Sequence, residues 1–225
     1  MIGSCQLQDM AASSKILDLR HLLAERFPQT SAPAADCLST GLPAIDELMA
    51  GGLPKNVITE LSSPNPSGGS ALLLYALLHN AQRTGYFLAL VDGKDSFDPQ
   101  PLDPASLRHL LWVRCRKAFE AVQAADLLLR DGNFPLVILD LVLNSSEELR
   151  KIPQTSWYRL QRLVEAAPTA FLVLTRTSLI SSAQLKLSLN NAWQLADLEQ
   201  GCLTARLQIL VKRAQGGKQA MAKTG

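Results

Sequence analysis

The chain has 225 residues, a formal net charge of +2, 47% hydrophobic residues and 19% charged residues. This composition is typical of a globular domain and excludes wholesale disorder. The net charge is too small to indicate nucleic-acid binding by itself. The four cysteines lie far apart with no CxxC or Cys/His spacing, so neither a disulfide framework nor a zinc site is expected.

Nothing in the sequence indicates secretion or membrane insertion. The N-terminus has no basic segment followed by an apolar core, and the longest apolar run, residues 71–78, is far shorter than the roughly 20 residues that span a bilayer. We therefore expect a cytoplasmic protein without a membrane contact.

The chain begins with a predicted amphipathic helix over residues 15–27. Its apolar positions recur at helical spacing and are Ile16, Leu19, Leu22, Leu23 and Phe27. Residues 28–36 are typical of a linker, so the helix either packs on its own domain or binds a partner or a second copy of the chain. We predict three parts: residues 1–36, a core domain over residues 37–215 and a flexible basic tail over residues 216–225.

Within the core domain, predicted strands alternate with predicted helices. The strands are placed at residues 57–61, 87–92, 111–115, 136–140 and 170–174, and the helices at 43–50, 69–83, near Ala105, at 117–130 and at 157–166. In the helix 117–130 we expect one packed side, formed by Phe119, Val122, Ala125, Leu128 and Leu129. Residues 184–189 and 203–211 indicate antiparallel strands at one sheet edge. The fold class is therefore α/β, with a mainly parallel sheet covered on both faces.

The loop "LSSPNPSGGS" lies where a phosphate-binding loop follows the first strand of such a sheet. On the template G-x-x-x-x-G-K-[ST], Ser63 stands at the first glycine, Gly68 at the second, Gly69 at the lysine and Ser70 at the metal-binding hydroxyl. The cation that would reach the phosphates is missing. Pro66 also removes an N–H donor from the middle of the loop. The loop is thus a vestigial nucleotide site or a plain connecting turn.

Two strands end in a carboxylate. Asp140 follows the apolar run "LVIL" and stands where an Mg²⁺-binding carboxylate would lie, and Asp92 ends the strand at residues 87–92. An Asp at the end of a strand is also an ordinary cap of a turn or helix.

The segment "LSTGLPAIDELMAGGLPKNVITELSSPNPSGGSALLL" resembles the RecA family from its short helix through Gly-Gly-Leu-Pro to the phosphate loop. "LALVDGKDSFDP" and "LVILDL" are similar to later RecA strands, and the resemblance extends over residues 38–215. The stretches "KILDLRHLLAERF", "WYRLQRLVEAAPTAFLVLTRT" and "LVKRAQGGK" most resemble ImuA (SulA/ImuA-type) proteins, which are accessory factors of bacterial damage-induced (SOS) mutagenesis.

The resemblance also exposes departures from a working ATPase. The phosphate-loop lysine maps to Gly69, and the carboxylate that activates the attacking water maps to Lys94, so the resemblance implies a protein that is not an enzyme and uses no ATP or Mg²⁺ as cofactor. Lys94 could instead swing toward the phosphates. Thr175 and Arg176 lie in the neighbourhood where RecA has a nucleotide-sensing glutamine, and the segment between Thr177 and Gln184 is short for a mobile DNA loop.

The resemblance implies an interaction module in translesion DNA synthesis, with RecA, an ImuB-like protein and error-prone polymerase subunits as partners. Three alternatives stay open. One is an ATP-binding RecA paralogue in repair or recombination, and another is a SulA-like inhibitor of cell division. The third is weak binding of single-stranded DNA through basic residues near the C-terminus, namely Lys212, Arg213, Lys218 and Lys223, with Arg176 as a further phosphate contact.

Overall fold

The structure, a computed structural model, describes residues 37–65, 68–193 and 203–214. The predicted N-terminal helix, its linker and the basic tail therefore lie outside the described residues. In the described part, no helix is long and apolar enough to cross a membrane.

The helices and strands follow the predicted alternation. In chain order they are β1 (Cys37–Leu38), α1 (Pro43–Asp46), β2 (Leu53–Pro54), β3 (Ile58–Ser62), α2 (Ser70–Thr84), β4 (Leu88–Asp92), α3 (Pro104–Leu107), β5 (Leu110–Arg114), α4 (Ala118–Asp131), β6 (Leu136–Asp140), α5 (Ser146–Arg150), α6 (Gln154–Ala166), β7 (Ala170–Thr175), β8 (Leu185–Leu189), a 3₁₀ helix (Leu203–Arg206) and β9 (Ile209–Ala214).

The described strands form one large sheet of seven strands in the order β5-β4-β6-β7-β3-β8-β9, and a separate β1-β2 pair. All neighbours in the large sheet are parallel except β8 and β9, which pair antiparallel at the edge. The predicted α/β class, with a mainly parallel sheet and antiparallel pairing at the C-terminal edge, is confirmed.

Alternating side chains of the strands enter two separate hydrophobic cores. Leu88 and Leu90 of β4 pack on the side of α2, whereas Ala89 and Val91 pack on the side of α4 and α6. This alternation is the period-2 geometry of a strand that is buried on both faces. Helices therefore cover both faces of the sheet.

Several details differ from the sequence prediction. The helix predicted at residues 43–50 covers only Pro43–Asp46, and α5 and the β1-β2 pair were not predicted. β8 is parallel to β3, so only its pairing with β9 is antiparallel. Residues 203–206 form a 3₁₀ helix, and the last strand begins at Ile209. Phe119 does not pack inward: its side chain is 45% exposed, because Ala118, Ala121 and Val122 form the buried side of α4.

Candidate functional site

The predicted site residues meet at the carboxyl ends of the parallel strands. The loop after β3 carries Ser63, Gly68 and Gly69, and α2 begins at Ser70. Asp92 and Asp140 end the neighbouring strands β4 and β6 and are paired in register. Parallel α/β sheets bind ligands at this edge. The loop and the two carboxylates therefore lie at the same edge of the sheet.

The described part of the phosphate-type loop is packed against its own chain. The N–H of buried Ser63 donates to the carbonyl of Thr175 at 2.8 Å, and the N–H of Gly68 donates to the carbonyl of Asn65 at 3.1 Å. Ser63 stands where the template has its first glycine. Its hydroxyl oxygen lies so close to Gly68 that a β-carbon at residue 68 would collide with it. The two backbone N–H groups are thus used by carbonyls of the protein itself.

Gly69 has neither the side chain nor the space of a phosphate-binding lysine. Its φ is +101°, a backbone conformation that L side chains rarely adopt. A β-carbon there would lie 2.9 Å from Leu207 Cδ2 and 3.4 Å from Trp193 Nε1. The space next to the lysine position is therefore occupied by residues that precede β9.

Asparagine side chains bind the loop to this later segment. Asn65 donates its amide to the carbonyl of Asn191 at 3.3 Å, and Asn191 donates to the carbonyl of Arg206 and accepts from the N–H of Gln208, both at 3.0 Å. These bonds hold Leu207 over Gly69.

Asp92 serves as the cap of a turn. Its carboxylate accepts hydrogen bonds from the backbone N–H groups of Lys94, Ser96 and Phe97, and from the indole N–H of Trp112 at 3.3 Å. It is 1% exposed. The carboxylate binds donors of its own turn, which favours the capping interpretation over the metal-binding one.

Lys94 lies beside a carboxylate. Its Nζ is 3.7 Å from Glu148 Oε2, and Glu148 belongs to the capping box of α5 with Ser145. The Asn144 amide donates to the carbonyl of Gly93 at 2.9 Å and joins this turn to α5. Lys94 therefore forms an ion pair within the fold at the position where the resemblance implies the carboxylate of an ATPase.

Asp140 has a raised pKa. Burial raises the pKa of Asp140 to about 6; the hydrogen bond from the Val142 N–H opposes this shift, and the charge of Asp92 adds to it. A carboxyl group with this pKa is partly protonated near neutral pH. It is the one predicted site residue among those described with a strongly raised pKa.

The structure also shows a polar cluster that the sequence analysis missed. Glu60 is 1% exposed in the middle of β3, and its carboxylate lies 3.1 Å from Lys186 Nζ. It also accepts from the Ser178 hydroxyl and from the N–H groups of Leu179 and Ile180. The segment between β7 and β8 is thus bound to the sheet. The sequence signals for this pair were a Glu within one apolar strand and a Lys within another. The pairing could not be read from them, because it depends on the strand register that places Glu60 opposite Lys186.

Three of the basic residues predicted as phosphate contacts lie in the described part of the chain. Arg176 follows β7 and is exposed, and Lys212 is exposed on β9. Arg213 donates to the carbonyl of Ser181 at 3.4 Å. Lys218 and Lys223 lie outside the described residues, as do the five apolar positions of the N-terminal helix. Among the described residues, no group of three His, Cys, Asp or Glu side chains is placed to hold a metal ion.

Comparison with known proteins identifies the family of this chain. The family model for the RecA N-terminal domain matches residues 25–150, which is more than half of the chain and includes the loop, Lys94 and Asp140. The chain belongs to the RecA family. The matched range includes the loop at residues 63–70, in which Gly69 stands where the sequence template has a lysine.

Individual RecA proteins show the same relationship. The chain is 35% identical over 114 residues to RecA of Clavibacter michiganensis, over 49% of this chain and 31% of that protein. It is 32% identical over 110 residues to RecA of Streptomyces venezuelae, over 48% and 29%, and 33% identical over 108 residues to RecA of Chlorobaculum tepidum, over 47% and 31%. The chain thus spans about a third of the length of the curated relatives it matches.

Proposed function

We propose that this RecA-family chain is a non-catalytic, ImuA-type accessory protein of bacterial damage-induced mutagenesis. In this role it binds RecA, an ImuB-like protein and error-prone polymerase subunits in the cytoplasm, and it uses neither ATP nor Mg²⁺. The proposal rests on the resemblance of three of its segments to ImuA proteins and on the altered chemistry of its RecA-type site.

The observation that carries the proposal is the packing of Leu207 on Gly69. A phosphate-binding loop needs a lysine whose side chain extends toward the β- and γ-phosphates. Here the residue is a glycine at φ +101°, with Leu207 Cδ2 close to where a side chain would begin. Loss of the ammonium group from a charged contact typically costs about 2–5 kcal/mol of binding free energy. Hydrolysis also lacks a base, since Lys94 pairs with Glu148.

The segment between β7 and β8 supports a role without extensive DNA binding. In the RecA resemblance this is the position of a mobile DNA loop. In this chain the segment is short, and Glu60 binds Ser178, Leu179 and Ile180 from inside the sheet. A segment held by buried charge-assisted hydrogen bonds is poorly suited to rearrange around a strand of DNA.

The experiment is a pull-down of purified RecA, the ImuB-like protein and the polymerase by the full chain. In this proposal the helix 15–27 contributes to partner binding, so Leu19→Asp with Leu23→Asp reduces recovery of at least one partner. His21→Asp with Arg26→Asp adds carboxylates to the other faces of the same helix and serves as the matched control. The proposal fails if none of the three partners is retained by the unmodified chain. Unchanged recovery by the Leu19 and Leu23 variant removes only the helix from it.

A second candidate is an ATP-binding RecA paralogue, and Asp140 favours it. This carboxylate stands at the Mg²⁺-binding position of the family and, in contrast to Asp92, is not bound by several donors of its own turn. Saturable binding of MgATP that is lost in Asp140→Ala would favour this candidate over an interaction module that binds no nucleotide.

A further inference from the structure

A cleft of about 460 Å³ lies between α4 and α6, on the face of the sheet opposite to Gly69 and Leu207. Phe119, Gln123 and Leu127 follow one another along α4 at i, i+4 and i+8 and line the cleft. Phe119 is 45% exposed and Leu127 is 68% exposed. Two large apolar side chains at this spacing form an exposed stripe that the fold of the described residues does not use.

Asp126 and Arg159 line the cleft and form an ion cluster with Arg130, which lies beside it. The buried carboxylate of Asp126 lies 2.6 Å from Arg159 Nε through one oxygen and 2.8 Å from Arg130 Nε through the other. Arg159 Nη2 adds a bond of 3.0 Å. One carboxylate therefore serves two guanidinium groups, each of which stays about half exposed. The cluster has a net charge of +1 and retains N–H donors that reach solvent.

We propose that this cleft binds the apolar face of an amphipathic helix from another protein, with acidic side chains of that helix paired to Arg159 and Arg130. An apolar stripe between two helices is the geometry in which helix-in-groove recognition occurs. Bidentate guanidinium–carboxylate pairs give such a groove its orientation and its charge preference. The partner is therefore an apolar helix with an acidic flank.

The charge distinguishes this partner from the chain's own N-terminal helix. Residues 15–27 contain three Lys or Arg and two Asp or Glu residues, so that segment has the same sign of net charge as the cluster of Asp126, Arg130 and Arg159. Complementary potentials favour association and like charges oppose it. Docking of a second copy of the chain through this segment is an alternative outcome of the test.

This inference is independent of the state of the nucleotide site, because the two features lie on opposite faces of the sheet. It adds a binding surface to the proposed function and does not use the N-terminal helix. A failed pull-down with the Leu19 and Leu23 variant and a failed test of the cleft are therefore separate results.

The test is selection of a displayed library of random helix-forming peptides on the full chain, followed by fluorescence anisotropy with the selected peptides. We expect peptides with apolar residues at i, i+4 spacing and flanking Asp or Glu. Leu127→Ser and Arg159→Gln should each weaken their binding about tenfold. Tyr158→Ser is the matched control, because Tyr158 is 55% exposed on α6 but does not line the cleft.

Three outcomes overturn the proposal. The first is that no selected peptide depends on Leu127. The second is that the dependent peptides are neutral or basic. The third is self-association of the full chain, measured by light scattering, that is lost in Leu127→Ser, which identifies a second copy as the occupant. Leu127 is exposed, so its substitution should leave the unfolding temperature unchanged, and loss of binding is not a result of unfolding.

Discussion

Leu207 packs on Gly69, so that its Cδ2 atom lies 2.9 Å from the position of a β-carbon at residue 69. Gly69 is the N-cap of α2, and Leu207 lies between the 3₁₀ helix and β9. The contact thus joins the loop after β3 to the C-terminal edge of the sheet. A side chain at residue 69 would therefore meet Leu207.

The first prediction concerns this contact. Gly69→Ala should lower the free energy of unfolding by about 2–4 kcal/mol, because it combines strain at φ +101° with a collision against a core residue. Gly85→Ala is the matched control: Gly85 also has a positive φ, at +79°, but nothing lies within 4 Å of its β-carbon position, so it should cost only about 1 kcal/mol. Urea unfolding of the two variants measures the difference. Equal losses would show that Leu207 does not restrict residue 69.

A second prediction concerns the buried pair of Glu60 and Lys186. Lys186→Met keeps the length of the side chain but leaves the carboxylate without its cation, and should cost about 2–4 kcal/mol. It should also loosen the segment after β7, because the Lys186 Nζ donates to Ser178 at 2.9 Å. Trypsin cleavage after Arg176, followed by mass spectrometry, should become faster.

Lys212→Met is the control for that experiment, since Lys212 lies on the neighbouring strand with an exposed side chain. Its effect on stability should stay within about 0.5 kcal/mol. If Lys186→Met also has no effect on stability or cleavage, Glu60 is held by its other donors alone.

A third prediction concerns Asp140 and pH. Its native pKa of about 6 lies above the ordinary value of 3.8, so the native state binds this proton more tightly than the unfolded chain. The stabilisation of the native state by protonated Asp140 is fully present below about pH 4 and is lost as the pH rises through 6. Asp140→Asn should therefore have the same free energy of unfolding as the unmodified chain near pH 4, and a value about 1–2 kcal/mol higher at pH 7. This difference is smaller than the full pKa shift would give, because Asp140 is partly exposed. Chemical unfolding at several pH values measures this; an Asn variant that is less stable at pH 7 would contradict it.

A fourth prediction concerns Lys94. The ion pair with Glu148 is largely exposed, with a separation of 3.7 Å, so Lys94→Gln should change the free energy of unfolding by less than about 1 kcal/mol. Lys94→Glu restores the carboxylate that the RecA resemblance places here, but should not produce ATP hydrolysis, because Gly69 still provides no cation. Measurable phosphate release by Lys94→Glu alone would show that the loop still binds nucleotide.

Much of the fold could be predicted because each buried strand carries a local signal. The run at residues 136–140 has four apolar residues before Asp140, and the strand has those bounds. Gly85 after an apolar helical pattern predicted the end of α2, and its left-handed backbone forms that end. These signals depend only on residues close together in the chain.

The features that the sequence did not predict depend on residues far apart in the chain. Residues 203–206 alternate like a strand, but they form a 3₁₀ helix that leads to Leu207, whose position depends on Gly69 and Asn191. The Glu60–Lys186 pair requires knowledge of which strands are neighbours. The loss of the lysine could be seen at Gly69 in the sequence, but the residues that fill the space could not.

Equilibrium titration of the full chain with a fluorescent ATP analogue and Mg²⁺, carried to millimolar nucleotide, tests the proposed function most directly. A RecA protein with an intact phosphate loop serves as the positive control. We predict no saturable binding by this chain, because Gly69 supplies no ammonium group and Leu207 occupies the adjoining space. Saturable binding that plain ATP displaces, and that Asp140→Ala abolishes, would contradict this prediction and favour a nucleotide-dependent RecA paralogue.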